Sequence, residues 1–317
     1  MIHTPLGVEA KSPPRQGRPR PRRQSRSWTI ILFLLPAIAI FSVFLLGPVA
    51  RSVGYSFYDW TGPGRPATFI GLDNFVELAS DQRFYQALMN NGIIVFSSIL
   101  FQLPLGLGLA VIINSKLRLK RFWRAVYFLP TLMSTVAIGI LWGYIYNPDF
   151  GLINGFLAMI GLDGLQQGWL GNSSTALGAV VVTTVWQWAP FYMIIYSAGI
   201  ASLPLDIYEA AKLDGANKRQ EFFLITLPLL RPVIITTIVL SVIGSIKYFD
   251  LVYIMTGGGP SDSTQLLATL MFKEGFTNFR FGYASAIAVA MLCLSLVVTA
   301  FVLARSRRSK IPDGGRP

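Results

Sequence analysis

Ile207-Tyr208-Glu209-Ala210-Ala211-Lys212-Leu213-Asp214-Gly215-Ala216, running on to Ile225-Thr226-Leu227-Pro228, is the polar island around which an otherwise apolar chain is arranged. Ser202 and Pro204 predict a helix start, because Ser can accept from a free N-terminal N–H and Pro is tolerated in the first turn. Asp206 and Glu209 then fall in the opening turns, where the helix macrodipole favours negative charge. Gly215 predicts the stop, since glycine takes the left-handed C-terminal conformation without strain. A second helical piece, Asn217 to Ile225, carries Phe222, Phe223 and Ile225 on an apolar side, and Pro228 opens the next hydrophobic run. Ala210 and Ala211 leave no bulk against an approaching surface, and Glu209 offers a carboxylate for a partner's arginine. The reading is a short helix-turn-helix between two membrane spans.

Composition supports the membrane. The chain has 317 residues, 53% hydrophobic and only 13% charged, with a mean hydropathy of +0.53, too apolar for a soluble domain of that length. Apolar runs at about Trp28 to Ala50, Asn91 to Ile113, Phe122 to Tyr146, Ala176 to Ile200, Pro228 to Phe249 and Tyr283 to Ala304 each suffice to cross a hydrocarbon core of ~30 Å as a helix. The first is longer than the roughly 7–15 apolar residues of a signal peptide and is expected to be retained. The expected fold is therefore an all-α polytopic membrane protein with six transmembrane helices. Residues 1–27 form a basic, Pro-rich tail expected to be disordered, 28–304 the membrane domain with the polar loop at 202–228, and 305–317 a second basic tail.

The net charge of +12 would suit nucleic acid if it were spread over a surface. It is concentrated instead beside apolar runs, which is topology rather than nucleic-acid binding. Lys116, Arg118, Lys120, Arg121 and Arg124 between spans two and three, and Arg305, Arg307, Arg308 and Lys310 after span six, belong on the cytoplasmic side. The connection from Asn147 to Thr175 has no Lys or Arg and belongs outside, as does the charge-balanced loop from Arg51 to Asn90. Both termini and the loop at 202–228 then lie in the cytoplasm of a multi-pass cell-membrane protein. Cys293 is the single cysteine and His3 the single histidine, so no metal cluster or nucleophilic dyad is expected and the chain reads as no enzyme. Gly257-Gly258-Gly259-Pro260 lacks the Gly-Lys-Ser/Thr ending of a Walker loop and lies outside, so it reads as a flexible turn.

Glu209-Ala210-Ala211, three residues, Gly215, nine residues, then Ile225-x-Leu227-Pro228 resembles the EAA loop of permease subunits in binding-protein-dependent ATP-driven importers. Phe69-x-Gly71-Leu72-x-Asn74-Phe75, Phe128-Leu129-Pro130 with Trp142 and Gly151-x-x-Asn154, and Phe249-Asp250-x-Val252-Tyr253-x-Met255-Thr256-Gly257-Gly258-Gly259-Pro260 are similar, in order, to the carbohydrate and glycerol-phosphate branch. The resemblance spans Trp28 to Ala304. It implies the type I importer fold, with a cytoplasmic coupling helix between helices four and five that docks on a separate ATPase through Glu209, Ala210, Ala211, Asp214 and Gly215. The implied partners are a second homologous permease, an ATPase dimer, an extracytoplasmic solute-binding protein and membrane lipid. No cofactor is expected on this chain; ATP and Mg would sit on the partner ATPase.

Sugars are held by aromatic faces and sparing hydrogen-bonding groups in an apolar cavity. Trp142 and Tyr146, four apart on span three, are candidates, although aromatic residues near span ends also serve as interfacial anchors. Trp186, Gln187, Trp188 and Tyr192 surround Pro190 in span four, where a kink would free carbonyls that need a cavity or a neighbouring helix. Lys247, Tyr248 and Asp250 lie near the outer end of span five, with Lys247 and Asp250 spaced to pair at i,i+3. Gln102, beside Pro104 in span two, is accounted for by polar bonding between helices. The expected function is ATP-driven import of a sugar or related polyol by alternating access, with glycerol 3-phosphate import as an alternative. A gradient-driven carrier, the other class, normally needs an ionisable relay within the bilayer, and spans two to four carry none in their middles.

Overall fold

The structure, a computed structural model, describes residues 25–115 and 118–308. Most of the basic N-terminal tail, Lys116 and the last nine residues lie outside these. Two units are present, the first ending at Arg51 and the second starting at Ser52. In the first, α1 runs Ser25–Phe41 and continues through a π turn, Ser42–Leu46, into Gly47–Tyr55, whose last residues belong to the second unit. Its side chains from Ile30 to Leu46 are almost all exposed, Phe33 at 81%. Such a helix is at home only where lipid or another apolar surface covers it.

The second unit opens with a two-stranded antiparallel ribbon, β1 (Tyr58–Asp59) and β2 (Thr68–Phe69), paired Tyr58 to Phe69. Then follow α2 (Asp73–Ser80), α3 (Gln82–Asn114), α4 (Lys120–Leu132), α5 (Thr135–Ile145), α6 (Leu152–Met159) and α7 (Ala176–Ala201). The remainder is α8 (Leu205–Leu213), α9 (Lys218–Leu229), α10 (Arg231–Ile246), α11 (Asp250–Met255), α12 (Leu267–Phe272, extended by a π turn at Lys273–Thr277) and α13 (Phe281–Arg308). Among the described residues four helices, α1, α3, α7 and α13, are individually long and apolar enough to cross a membrane; the number becomes six if each of two bent pairs is one span.

Those pairs correct the sequence reading. The run from Phe122 to Tyr146 is not one straight helix: α4 and α5 meet at 94°, because Met133 and Ser134 are extended, with ψ of 147° and 135°. The fifth run starts later than Pro228, which lies inside α9. A 66° bend separates α9 from α10, and Pro232 sits in the first turn of α10.

Between apolar helices in lipid, burial gives little net drive, so close backbone approach and interhelical hydrogen bonds hold the bundle. Gly106 on α3 provides the closest approach to α7. A Cβ there would lie 2.8 Å from the Ala189 carbonyl oxygen and 3.0 Å from Tyr192 Cβ. Around it Leu103, Ala110, Ile113, Tyr192, Met193 and Tyr196 form a core completed by Val233, Ile234 and Ile238 of α10. Polar ties cross the same interfaces: Ser98 to Ser241 (2.6 Å), Tyr196 to Thr237 (2.7 Å), and Asn91 donating to the Ser245 carbonyl (2.9 Å). Each is worth on the order of 0.6 kcal/mol.

The end of the molecule holding β1 and β2 is fastened differently. Asn74 donates to the Ser56 and Tyr58 carbonyls at 2.9 and 3.0 Å. Glu274, only 1% exposed, takes Arg83 at 2.7 Å and Arg280 at 3.5 Å, while Arg280 also pairs with Glu77. Asp81 caps α3 by accepting from the Arg83 N–H and receives the Tyr283 hydroxyl at 2.7 Å. Burial pushes the Asp81 carboxyl up, but the hydrogen bonds from Arg83 and Tyr283 outweigh that and hold it below its usual value. The glycine run, expected to be a flexible turn, is tied down: Thr264 donates to the Gly258 and Gly259 carbonyls and bonds Thr256 at 2.7 Å.

Candidate functional site

Two features of the second unit carry the chemistry. The first is α8 and its turn. Pro204 occupies the position before the helix, Asp206 the first turn and Lys212 the last, so both charges complement the macrodipole. Ser202 does not cap α8 as expected; its hydroxyl donates backwards to the Gly199 carbonyl, at 2.7 Å, and belongs to the end of α7. The stop follows the sequence reading. Gly215 has φ of +80°, the Ala216 N–H donates to the Ala211 carbonyl at 2.9 Å and the Gly215 N–H to the Lys212 carbonyl at 3.1 Å. That pair of bonds is a Schellman motif.

No residue of α8 is buried. Leu205 and Leu213, 74% and 90% exposed, flank Glu209 and Ala210, which are exposed as well. Glu209 and Asp214 make no ion pair among the described residues. The helix touches the rest of the chain through Tyr208, whose hydroxyl lies 2.8 Å from that of Thr226 on α9. The second piece starts from a reciprocal capping box between Asn217 and Gln220. Glu221 is then buried, with Lys218 at 2.7 Å, and Phe223 and Leu224 are left exposed.

The second feature is a half-open cavity of about 260 Å³ between α3, α7 and α10. Its aromatic walls are Trp188, Phe191, Tyr192 and Tyr248, its aliphatic floor Ile94 and Leu240, and its polar groups Gln102, Thr184, Ser241 and Ser245. Three sequence candidates, Trp188, Tyr192 and Tyr248, therefore meet in one place. The Trp188 N–H forms no hydrogen bond of good geometry, though it lies near the Tyr248 hydroxyl. α7 runs unbroken through Pro190, and Thr131 of α4 donates to the Gln187 carbonyl at 2.9 Å, one residue on from the Trp186 carbonyl that Pro190, lacking an N–H, cannot serve.

The other candidates fall elsewhere. Trp142, Tyr146 and Trp186 do not line the cavity; the Trp142 ring lies tilted 5.2 Å from Tyr146 and edge-to-face 5.4 Å from Trp186, and the Tyr146 hydroxyl donates to the Ala179 carbonyl. The reason is helical phase, since Trp186 and Trp188 are two positions apart and project to opposite sides of α7. Lys247 and Asp250 do not pair. Lys247 ends α10 and Asp250 starts α11, the chain turns between them at Phe249 (φ −136°, ψ −59°), and both are exposed.

Sequence reasoning misjudged Gln102. Among the described residues it bonds no other helix; it is 4% exposed and lines the cavity. It closes a π turn, Ser98–Gln102, in which the Leu103 N–H reaches back to Ser98. Pro104 was the available signal. It cannot donate to the carbonyl four residues back, which favours a locally widened helix.

Residues 102–311 match the family of binding-protein-dependent transport system inner membrane components. The chain belongs to that family. A probable ABC transporter permease protein of Bacillus subtilis, YurN, is 41% identical to this permease over 84% of its chain and 92% of the relative. The lactose transport system permease protein LacF of Rhizobium radiobacter is 36% identical over 87% and 94%. Among solved structures, a bacterial ABC transporter involved in import of the acidic polysaccharide alginate aligns with a TM-score of 0.78 at 27% identity, covering 90% of this permease and 97% of that chain. The same kind of transporter has been solved in complex with an alginate pentasaccharide-bound periplasmic protein, again at 0.78.

Proposed function

We propose that this permease is one of two membrane subunits of an ATP-driven importer, moving a sugar or related polyol that an extracytoplasmic binding protein delivers. In this reading the bundle spans the membrane six times, each bent pair counting once, with both termini and α8 in the cytoplasm. ATP and Mg sit on a separate ATPase dimer. The carrying observation is α8 itself: a helix with both ends well formed, no buried face and exposed Leu205 and Leu213 beside Ala210 is shaped to be covered by another protein. Glu209, Ala210, Ala211, Asp214 and Gly215 make up that contact.

A route of contact leads inward from it. Tyr208 ties α8 to α9 through Thr226; fully buried Leu230 joins α9 to α10; and α10 carries Ser241 and Ser245 into the cavity. Closing of the ATPase dimer would push α8, tilt α9 about the 66° bend and reshape the cavity that Trp188, Tyr192 and Tyr248 line. Trp142, Tyr146 and Trp186 support the cavity wall from behind, and Lys247 and Asp250 flank its outer end. The family, relatives named for sugars and the binding-protein complex of a similar chain support this reading. A gradient-driven carrier has no such support, and no ionisable carboxylate, histidine or lysine lines the cavity.

Replacing Leu213 by Asp tests the docking. A charge on a contact that must be desolvated should abolish co-purification of the ATPase, while the chain still reaches the membrane at its normal level. Retention of the ATPase on Leu213→Asp and on Leu205→Asp would remove α8 from the interface.

A further inference from the structure

We propose that the cavity takes an uncharged, polyhydroxylated solute and that Gln102 is the side chain that reads it, an inference that rests on the cavity being the solute site. All its lining residues are neutral, whereas a buried anion or cation needs a partner of opposite charge. Lys247, one residue from Tyr248, is exposed at the turn between α10 and α11 and does not line the space. Anionic solutes find no cation there.

Among the polar lining groups most are already committed. Ser241 shares its hydroxyl with Ser98 at 2.6 Å, and Thr184 donates to the Val180 carbonyl at 2.8 Å. Gln102 differs: more than nine-tenths buried, it lines the cavity and makes no hydrogen bond among the described residues, which leaves an amide donor and acceptor for a solute. The π turn that ends at Gln102 and the following Pro104 hold that residue in place. A primary amide can accept from one sugar hydroxyl and donate to its neighbour, while Trp188 and Tyr248 supply flat faces for C–H surfaces. The pattern suits a neutral sugar such as the one LacF is named for, and not an acidic polymer such as alginate.

The test uses the assembled transporter in a host deleted for this chain and complemented with it or a variant. Uptake is followed for labelled lactose, maltose and trehalose, for a uronate-bearing disaccharide of equal size, and for glycerol 3-phosphate. One neutral sugar should enter with ATP dependence, at least about tenfold faster than either anion. Gln102→Met, close in volume and apolar, should lower solute moved per ATP hydrolysed by about three- to tenfold, the weight of one hydrogen bond. Gln102→Asn should recover part of it. A fold defect would lower transport and hydrolysis together and leave that ratio unchanged. Anion uptake equal to or above neutral uptake overturns the solute class and leaves the importer standing. An unchanged ratio in Gln102→Met overturns the role of Gln102. Uptake that ignores ATP depletion but collapses with the proton gradient overturns the importer reading itself.

Discussion

Gly215 allows the turn after α8 to be tested separately from packing, because a Cβ built there meets nothing within 4 Å. Any effect of substitution is therefore conformational. An alanine held at φ of +80° costs about 1–2 kcal/mol, roughly a five- to thirtyfold loss in the docking-ready turn if each 1.4 kcal/mol is tenfold. Asparagine, which tolerates the left-handed region better, should lose less. Proline is worse on three counts. Its φ is fixed near −65°, about 145° from the observed +80°; it deletes the N–H that donates to Lys212; and it pushes Asp214 (φ −76°, ψ 0°) out of its present conformation. Together these exceed ~3 kcal/mol. ATP-dependent uptake, normalised to the amount of chain in the membrane, should fall in the order Gly, Asn, Ala, Pro. Full transport by Gly215→Pro, or equal transport by Ala and Pro, would refute the reasoning.

At Gly106 the atoms a Cβ would meet are backbone or Cβ atoms that cannot swing aside. Gly106→Val should lower the unfolding midpoint of the detergent-purified protein by the equivalent of at least ~1–3 kcal/mol, whereas Gly108→Val, with open space around it, should not. Arg83→Ala leaves the 1%-exposed Glu274 with Arg280 alone at 3.5 Å and should loosen the segment from Ser52 to Ser80 by about 2 kcal/mol, read as faster limited proteolysis. Lys218→Ala, removing an 85% exposed partner, should change stability by under ~1 kcal/mol. Because the Asp81 carboxyl is held below its ordinary 3.8, its contribution is complete above that pH and is lost as the pH falls through the lower folded value; protection of the same segment should persist at pH 5 and fail only in stronger acid.

The turn after α8 was legible in the sequence because capping is local: Asp206, Lys212 and Gly215 are read within one or two turns. Trp188 and Tyr192, four apart, could be placed on one face of α7 from helical phase, but that Tyr248, which follows α10, meets them is a matter of packing between helices that spacing does not carry. The break at Met133 was hidden, since Leu132-Met133-Ser134 carries neither glycine nor proline and hydropathy runs straight across it. Lys247 and Asp250 misled because i,i+3 spacing assumes a helix that in fact turns at Phe249. Gln102 was discounted for want of knowing which face of α3 it takes, and a π turn shifts that phase. The motif residues expected in the outer loops have a plain structural use: Asn74 pins β1, and Asn154 accepts the Trp169 N–H at 2.8 Å and donates to the Pro148 carbonyl.

The π turn at Ser98–Gln102 also sets the phase of everything that follows it in α3. A wide turn of this kind is a helix that has absorbed one extra residue, and everything after it is rotated by about 100° relative to what an unbroken α-helix would give. Remove that residue and Gly106 leaves Ala189, a bulkier neighbour takes its place against α7, and the amide at 102 swings off the cavity. Helix contact and solute contact are thus set by the same reading-frame-like offset. Between Ser98 and Gln102, length is constrained more tightly than identity, so lineages descending from this chain should exchange the exposed residues at 99–101 more freely than they gain or lose one.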